Sequence, residues 1–235
     1  MSSIVAGYAG PGALVPPRAT PLHYPTLVGA AEWRGLPAAT RARLEAPHAC
    51  FVGAMTLRAS ACGRWLARLC RLVGSPLPPS CATPVVATVE VAHDAATGGH
   101  RWTRSYALPT RTFTVESVKT VGPSGRVVER LAAGLRMEHD IYARDGELHF
   151  VSTGYFFEVP LRRLGELALG RLAELLVGSG RDTWRLRLPS WWPPGCTHVV
   201  HRDLGDGRFR FTMTIRHAWL GELFHHDGVF RLAGG

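Results

Sequence analysis

From residue 84 onward, apolar residues recur at every second position, and this period constrains the chain more than any other feature. Period two places alternate side chains on one face of a β-strand, whereas a helix needs a period near 3.6. PVVATVEVAHD (84–94), a Gly98-Gly99 turn and HRWTRSYAL (100–108) predict a hairpin. RTFTVESVKTV (111–121) follows, with Phe113, Val115, Ser117 and Lys119 on one face. After GPSG, the stretch RVVERLAAGLRMEHDIYA predicts two short strands or one bent at Gly134. Asp145-Gly146 marks another hairpin turn, and LHFVSTGYFFEV (148–159) continues as a strand.

The flanking regions differ. Residues 1–35 carry scattered prolines and predict an irregular N-terminal arm, leaving 36–235 as one β-rich domain. Pro37 precedes a short helix, AATRARLEA, and CFVGAMTLRA predicts a strand. Ser60 caps a helix at ACGRWLARLCRLVG, with Trp65, Leu66, Leu69, Leu72 and Val73 as its apolar stripe. A second helical stripe comprises Leu164, Leu167, Ala168, Leu172, Leu175 and Leu176. A Trp-Trp-Pro-Pro corner follows at 191–194. In THVVHRDLGDGRFRFTMTIRH, Phe209, Phe211, Met213 and Ile215 alternate with Arg and Thr, and GELFHHDGVFRL closes the sheet. The expected fold class is mainly β (α+β): a curled antiparallel sheet forming a barrel or half-barrel, with two or three covering helices. Closure would remove the exposed strand edges, and such barrels either fill with side chains or hold one small ligand.

Charge and cysteine usage narrow the function classes. The net charge of +9 suggests nucleic acid, but the arginines are scattered rather than clustered, which argues against it. Of 27 basic residues only Lys119 is lysine. The five cysteines lack any C-x2-C pair and read as reduced thiols, mostly buried as small apolar side chains. No apolar run approaches a membrane span and no secretory signal is evident, so a cytoplasmic protein is expected. None of the eleven histidines shows a helical metal-ligand spacing: His198/His201 and His225/His226 each face opposite sides of a strand, as do His139/Asp140 and His226/Asp227. No metal and no cofactor are expected.

The stretch GHRWTRSYAL sets His100, Trp102, Arg104 and Tyr106 on one strand face. Two readings stand. Arg104 can hold a carboxylate or enolate oxygen in a pocket walled by Trp102 and Tyr106, or it can pair with Glu90, Glu116 or Glu129 across the sheet. Glu129, among apolar neighbours, reads either as a general acid or base or as a structural ion pair. His201 is the reserve proton carrier and Tyr155 a further wall residue. Trp184, Trp191, Trp192 and Trp219 either rim a ligand mouth or plug the barrel end.

The pieces LPAATRARLEAPH, GRWLARLCRLVGSPLPP, RWTRSYAL, GRVVERLAAGLRMEH, DGRFRFTMTI and LGELFHHDGVFRL together resemble the bacterial domain-of-unknown-function family 4166, over residues 36 to 232. Its most recognisable elements here are Trp102-x-Arg104, Glu129 after Val, and Gly207 to Phe211. The chain departs from the pattern in extra residues around 164–178 and in His198 and His201, where an acidic residue is expected. The resemblance implies a domain often fused behind a dinucleotide-binding domain of the saccharopine-dehydrogenase type, hence an oxidoreductase partner; a homodimer is also compatible. The chain itself lacks the G-x-G-x-x-G of such a domain. The leading expectation is a cofactor-independent enzyme, a cyclase or isomerase using acid–base catalysis on a hydrophobic small molecule. Glu129, Arg104 and His201 would carry the chemistry, and Trp102, Tyr106 and Tyr155 would shape the pocket. The alternative is a non-catalytic module that binds an apolar ligand beside an oxidoreductase.

Overall fold

The computed structural model describes residues 22–72, 77–132, 134–160, 183–189 and 194–233. The second helical stripe, the Trp-Trp-Pro-Pro corner up to residue 193 and residues 1–21 lie outside this set.

The period-two segments form one antiparallel meander. The strands are β1 (His48–Ala59), β2 (Val85–Asp94), β3 (Gly99–Leu108), β4 (Arg111–Val121), β5 (Val127–Ala132), β6 (Leu135–Arg144), β7 (Glu147–Pro160), β8 (Thr183–Arg187), β9 (Cys196–Gly205), β10 (Arg208–His217) and β11 (Gly221–Leu232). Their order is β6-β5-β4-β3-β2-β1-β11-β10-β9-β7-β8, and β6 also pairs with β7. That last pairing closes ten strands into a barrel and leaves β8 attached to the C-terminal half of β7. The expectation of a barrel or half-barrel resolves to a closed barrel.

Local geometry explains the tight turns. Asp145 and Gly146 have φ of 52° and 75°, and Asp206 and Gly207 have 52° and 69°. Both pairs take the left-handed conformation that matches a two-residue hairpin to strand twist. RVVERLAAGLRMEHDIYA divides into two strands at Gly134, where φ is 84°. Along β10, exposed Arg208 and Arg210 flank buried Phe209; along β3, exposed Arg101 precedes buried Trp102. The barrel is therefore apolar inside and charged outside at these strands.

The two barrel ends are built differently. Part of the region read as an irregular arm is helical: α1 (Tyr24–Val28), with proline in its first turn, and α2 (Ala30–Gly35) precede α3 (Ala38–Glu45). The scattered prolines there hid two helices too short to show a period. Leu22, Tyr24, Trp33, Leu36 and Leu44 pack with Val127, Ile141, Leu148 and Phe150, so these helices cap the end where β5 and β7 begin. Helix α4 (Ala61–Leu72) lies at the opposite end, against β1 and β11. Ser60 caps it, its Oγ accepting from Gly63 N at 3.1 Å. The expected stripe is not the buried face. Gly63 and Ala67 are buried, while Trp65 and Leu69 are 62% and 42% exposed. Gly63 permits this close approach, because a Cβ there would collide with the carbonyl oxygen of Leu223. The cysteines are also more exposed than expected: all five are free, and none is fully buried.

Candidate functional site

A cavity of about 800 Å³ occupies the barrel interior. Its size lies within the range of pockets that hold drug-sized molecules. Apolar and aromatic residues form most of its wall, among them Met137, Phe150, Tyr155, Phe211 and Met213. Leu66, Leu69, Trp219 and Leu220 line it at the α4 end. Trp219 and Leu220 are 75% and 49% exposed and, with Leu69, give that mouth an apolar rim.

The opposite end is polar. Lys119 on β4 faces Glu129 on β5 directly across the ladder, and Nζ lies 2.8 Å from Glu129 Oε1. Arg104 reaches across from β3, placing Nη2 3.3 Å from the same oxygen and Nη1 3.1 Å from Ser117 Oγ. Ser117 donates to Glu129 Oε1 at 2.6 Å, and His139 Nε2 lies 3.2 Å from Oε2. These partners come from four consecutive strands, and diagonal neighbours on one sheet face are within reach of long side chains. Trp102 backs the cluster: its ring centroid is 4.9 Å from Lys119 Nζ and 5.7 Å from Arg104 Cζ, both cation–π distances. Among the described residues lining the cavity, Glu129 is the sole carboxylate, with Lys119 and Arg104 facing it.

Burial and charge set the protonation states. Desolvation alone would raise the Glu129 carboxyl. Attraction to Lys119, the His139 hydrogen bond and the Arg104 charge outweigh it and hold Glu129 well below the usual carboxylate range. Burial drives the Lys119 ammonium down to about 8; Glu129 opposes that shift and Arg104 adds to it. His201 is held well below its ordinary value by burial and then by Arg43, Lys119 and Arg104, so it is neutral near pH 7. Burial likewise lowers His226 to about 4, with smaller contributions from His225 and Arg104. Burial raises both Tyr106 and Tyr155, and Tyr155 hydrogen-bonds Thr197 at 2.6 Å.

The six residues singled out in the sequence all line this cavity: Glu129, Arg104 and His201 with Trp102, Tyr106 and Tyr155. Arg104 and Glu129 form the cross-sheet ion pair that is one reading of each, and both also line the cavity. His201 lies among the rings of Trp102, Phe150, Phe209 and Phe211. Lys119, Ser117 and His139 join the cluster although sequence reasoning does not mark them as site residues. The available signal for Lys119 is its position in phase with Phe113 and Val115, as the single lysine of the chain. The paired acidic neighbours point outward: Asp140 meets Arg126 and Asp227 meets Arg210. Of the four late tryptophans, Trp219 rims the mouth; Trp191, Trp192 and the Trp184 side chain lie outside the described set. Among the described residues, no group of His, Cys, Asp or Glu could hold a metal ion. No helix among them is long and apolar enough to cross a membrane.

A closed antiparallel barrel with an apolar cavity and, among the described residues, a buried charge cluster on its wall defines a class of small-molecule-sized sites rather than a chemistry. The chain belongs to the DUF4166 family, a domain of unknown function, whose family model matches residues 36–230. No curated protein matches the chain. Two solved structures are similar at low level. A porin-like protein from Bacteroides uniformis ATCC 8492 is 10% identical, with 79% of this chain and 96% of that one covered and a TM-score of 0.22. A protein provisionally named a thioesterase II, from Thermobifida fusca YX, is 11% identical, with 79% of each chain covered and a TM-score of 0.22.

Proposed function

We propose that this protein is a cofactor-independent enzyme that isomerises or cyclises a hydrophobic small molecule by acid–base catalysis inside the barrel. The observation that carries this reading is the Lys119–Glu129–Arg104 cluster on the wall of an otherwise apolar cavity. Isomerisation and cyclisation by this route remove a proton at one atom and return one at another. Glu129 is ionised and is the group that would accept the proton, as a weak base, because its partners hold it well below the usual carboxylate range. Lys119, driven to about 8, suits donation, because a catalytic acid works best with its pKa near the operating pH. Their 2.8 Å contact lets the pair exchange the proton and regain its starting state after each turnover. Arg104 supports an oxyanion that develops between them. Trp102, Tyr106 and Tyr155 hold a flexible substrate in one shape, and the apolar wall keeps water out. His201, neutral at pH 7, serves as wall rather than proton donor.

The test begins with native mass spectrometry of protein purified from its own host, and identification of any bound molecule. That molecule is then incubated with wild type and with Glu129→Gln, Arg104→Met and Lys119→Met. Folded variants that keep full turnover would sink the proposal. The second reading, a carrier for an apolar ligand, draws on the apolar rim and the small polar share of the wall. It predicts that the molecule is recovered unchanged after any length of incubation.

A further inference from the structure

We infer that the molecule taken up by the barrel is an apolar monoanion, such as a carboxylic acid, with its charged end at the Lys119–Arg104 floor and its apolar body toward the α4 mouth. The inference rests on the cavity being a small-molecule site, but not on its being catalytic.

The first argument is charge count. Glu129 is the sole carboxylate among the described cavity-lining residues, yet Lys119 and Arg104 both pair with its Oε1. Whichever state His139 takes at Oε2, positive charge exceeds negative in a buried place. An isolated buried charge is costly, and a buried cluster is stable only when its charges and hydrogen-bond donors are matched. An incoming anion would supply the missing negative charge.

The second argument is independent of charge. Trp102 Nε1 and Arg43 Nη2 are buried and have no hydrogen-bond partner. Both groups can only donate, so an acceptor is what completes them. With Arg104 and His201, Trp102 and Arg43 line a small hollow of about 30 Å³ that shares its wall with the main cavity. Unsatisfied donors beside a surplus of positive charge describe a receptor for oxygen anions.

The third argument is placement. Lys119 is two residues from the capped end of β4, and Glu129 two residues from the capped start of β5. Lys119 lies eight residue steps along β4 from Arg111 at the mouth end. At the usual strand rise and barrel tilt that is about 20 Å along the axis. Charge at the closed end and an apolar lumen leading to an apolar rim match an amphiphile entering tail-outermost.

Isothermal titration calorimetry of wild type tests this with two isosteric pairs: decanoate against decanol, and 1-naphthaleneacetate against 2-(1-naphthyl)ethanol. Charge-assisted hydrogen bonds at the floor predict that at least one acid binds about tenfold or more tightly than its alcohol at pH 7. The preference falls to within about threefold in Lys119→Met and persists in Lys119→Arg, which keeps the charge. Equal or tighter binding of the alcohol in both pairs, or no binding by any of the four, overturns the inference. So does a preference that Lys119→Met leaves intact. The two proposals fail separately. Lys119→Arg keeps anion binding while losing a titratable proton, so turnover in that variant bears on the catalytic reading alone. Loss of turnover in Lys119→Met without any acid preference leaves catalysis standing and removes the anion.

Discussion

The two ends of the cavity solve opposite problems. At the floor, charged groups are taken out of water and must satisfy one another: Lys119, Glu129, Arg104, Ser117 and His139 form one connected cluster. At the mouth, Leu69, Trp219 and Leu220 are apolar groups left in water. Each end spends stability, the first through desolvation and the second through exposed apolar surface. A barrel serving only as a scaffold would fill its floor with aliphatic side chains and turn its rim polar. Departures of both kinds at the two ends of one lumen are what the proposed uptake of an apolar ligand requires: an apolar mouth and polar groups at the far end.

The largest break in this contrast is Glu129→Gln. It removes the one carboxylate among the described floor residues and leaves Lys119 and Arg104 without that counter-ion. The expected loss is about 3–5 kcal/mol, read as a lower midpoint in urea unfolding. A loss under about 1 kcal/mol would mean that water already screens the floor.

Lys119→Met sharpens the contrast in the other direction. Glu129 keeps Arg104, Ser117 and His139, while the surplus cation becomes an apolar side chain of similar length. Stability is expected to hold or to rise by about 1–3 kcal/mol, with ligand binding or turnover lost. The pH dependence carries a definite sign. Lys119 titrates at about 8 in the fold and near 10.5 when unfolded, so between those values the unfolded chain binds more protons. Wild type therefore gains stability relative to Lys119→Met as pH rises from about 8 to 10, and loses that gain as pH falls back through 8. A flat difference across that range would place the ammonium in contact with solvent. Glu129 acts at the acid end. Its folded value lies well below 4.5, so the stability it contributes is present above 4.5 and is lost as pH falls below it.

Gly63→Ala addresses how the mouth is held. The added Cβ meets the Leu223 carbonyl oxygen, so α4 must shift away from β11. A cost of about 1–3 kcal/mol is expected, with altered ligand entry rates in stopped-flow binding. The smallest effect on stability belongs to Trp219→Ser at the rim, within about 0.5 kcal/mol, because Trp219 is mostly solvent-exposed. Its effect should appear in the association rate of an apolar ligand. Unchanged association would mean that entry does not pass this rim.

The strands are the most legible part of the chain because alternation is local: each residue's face follows from its neighbours. Alternation alone groups Trp102, Arg104 and Tyr106 on one face and sets Glu129 among apolar neighbours. The N-terminal helices are hidden because helices of five and six residues are too short for periodicity and are held by packing in the barrel end. Helix α4 is legible as a helix, but its apolar stripe does not mark its buried face. Small Gly63 and Ala67 dock against the strands by close approach, which hydrophobic patterning does not register. Lys119 is visible in phase with Phe113 and Val115, but its burial is not legible, because an isolated lysine in a strand ordinarily points to solvent.

By itself, the sequence determined the strand-rich meander, its two-residue turns and which side chains share a face, since these follow from backbone geometry over a few residues. Only the tertiary structure decided that β1 meets β11 and β7 meets β9 to close the barrel, which face became the interior, and that Lys119, Glu129, Arg104 and His139 meet at its floor. Closure joins residues that no local rule relates. The protonation states that give the cluster its chemistry arise from burial, which exists only once the barrel has closed.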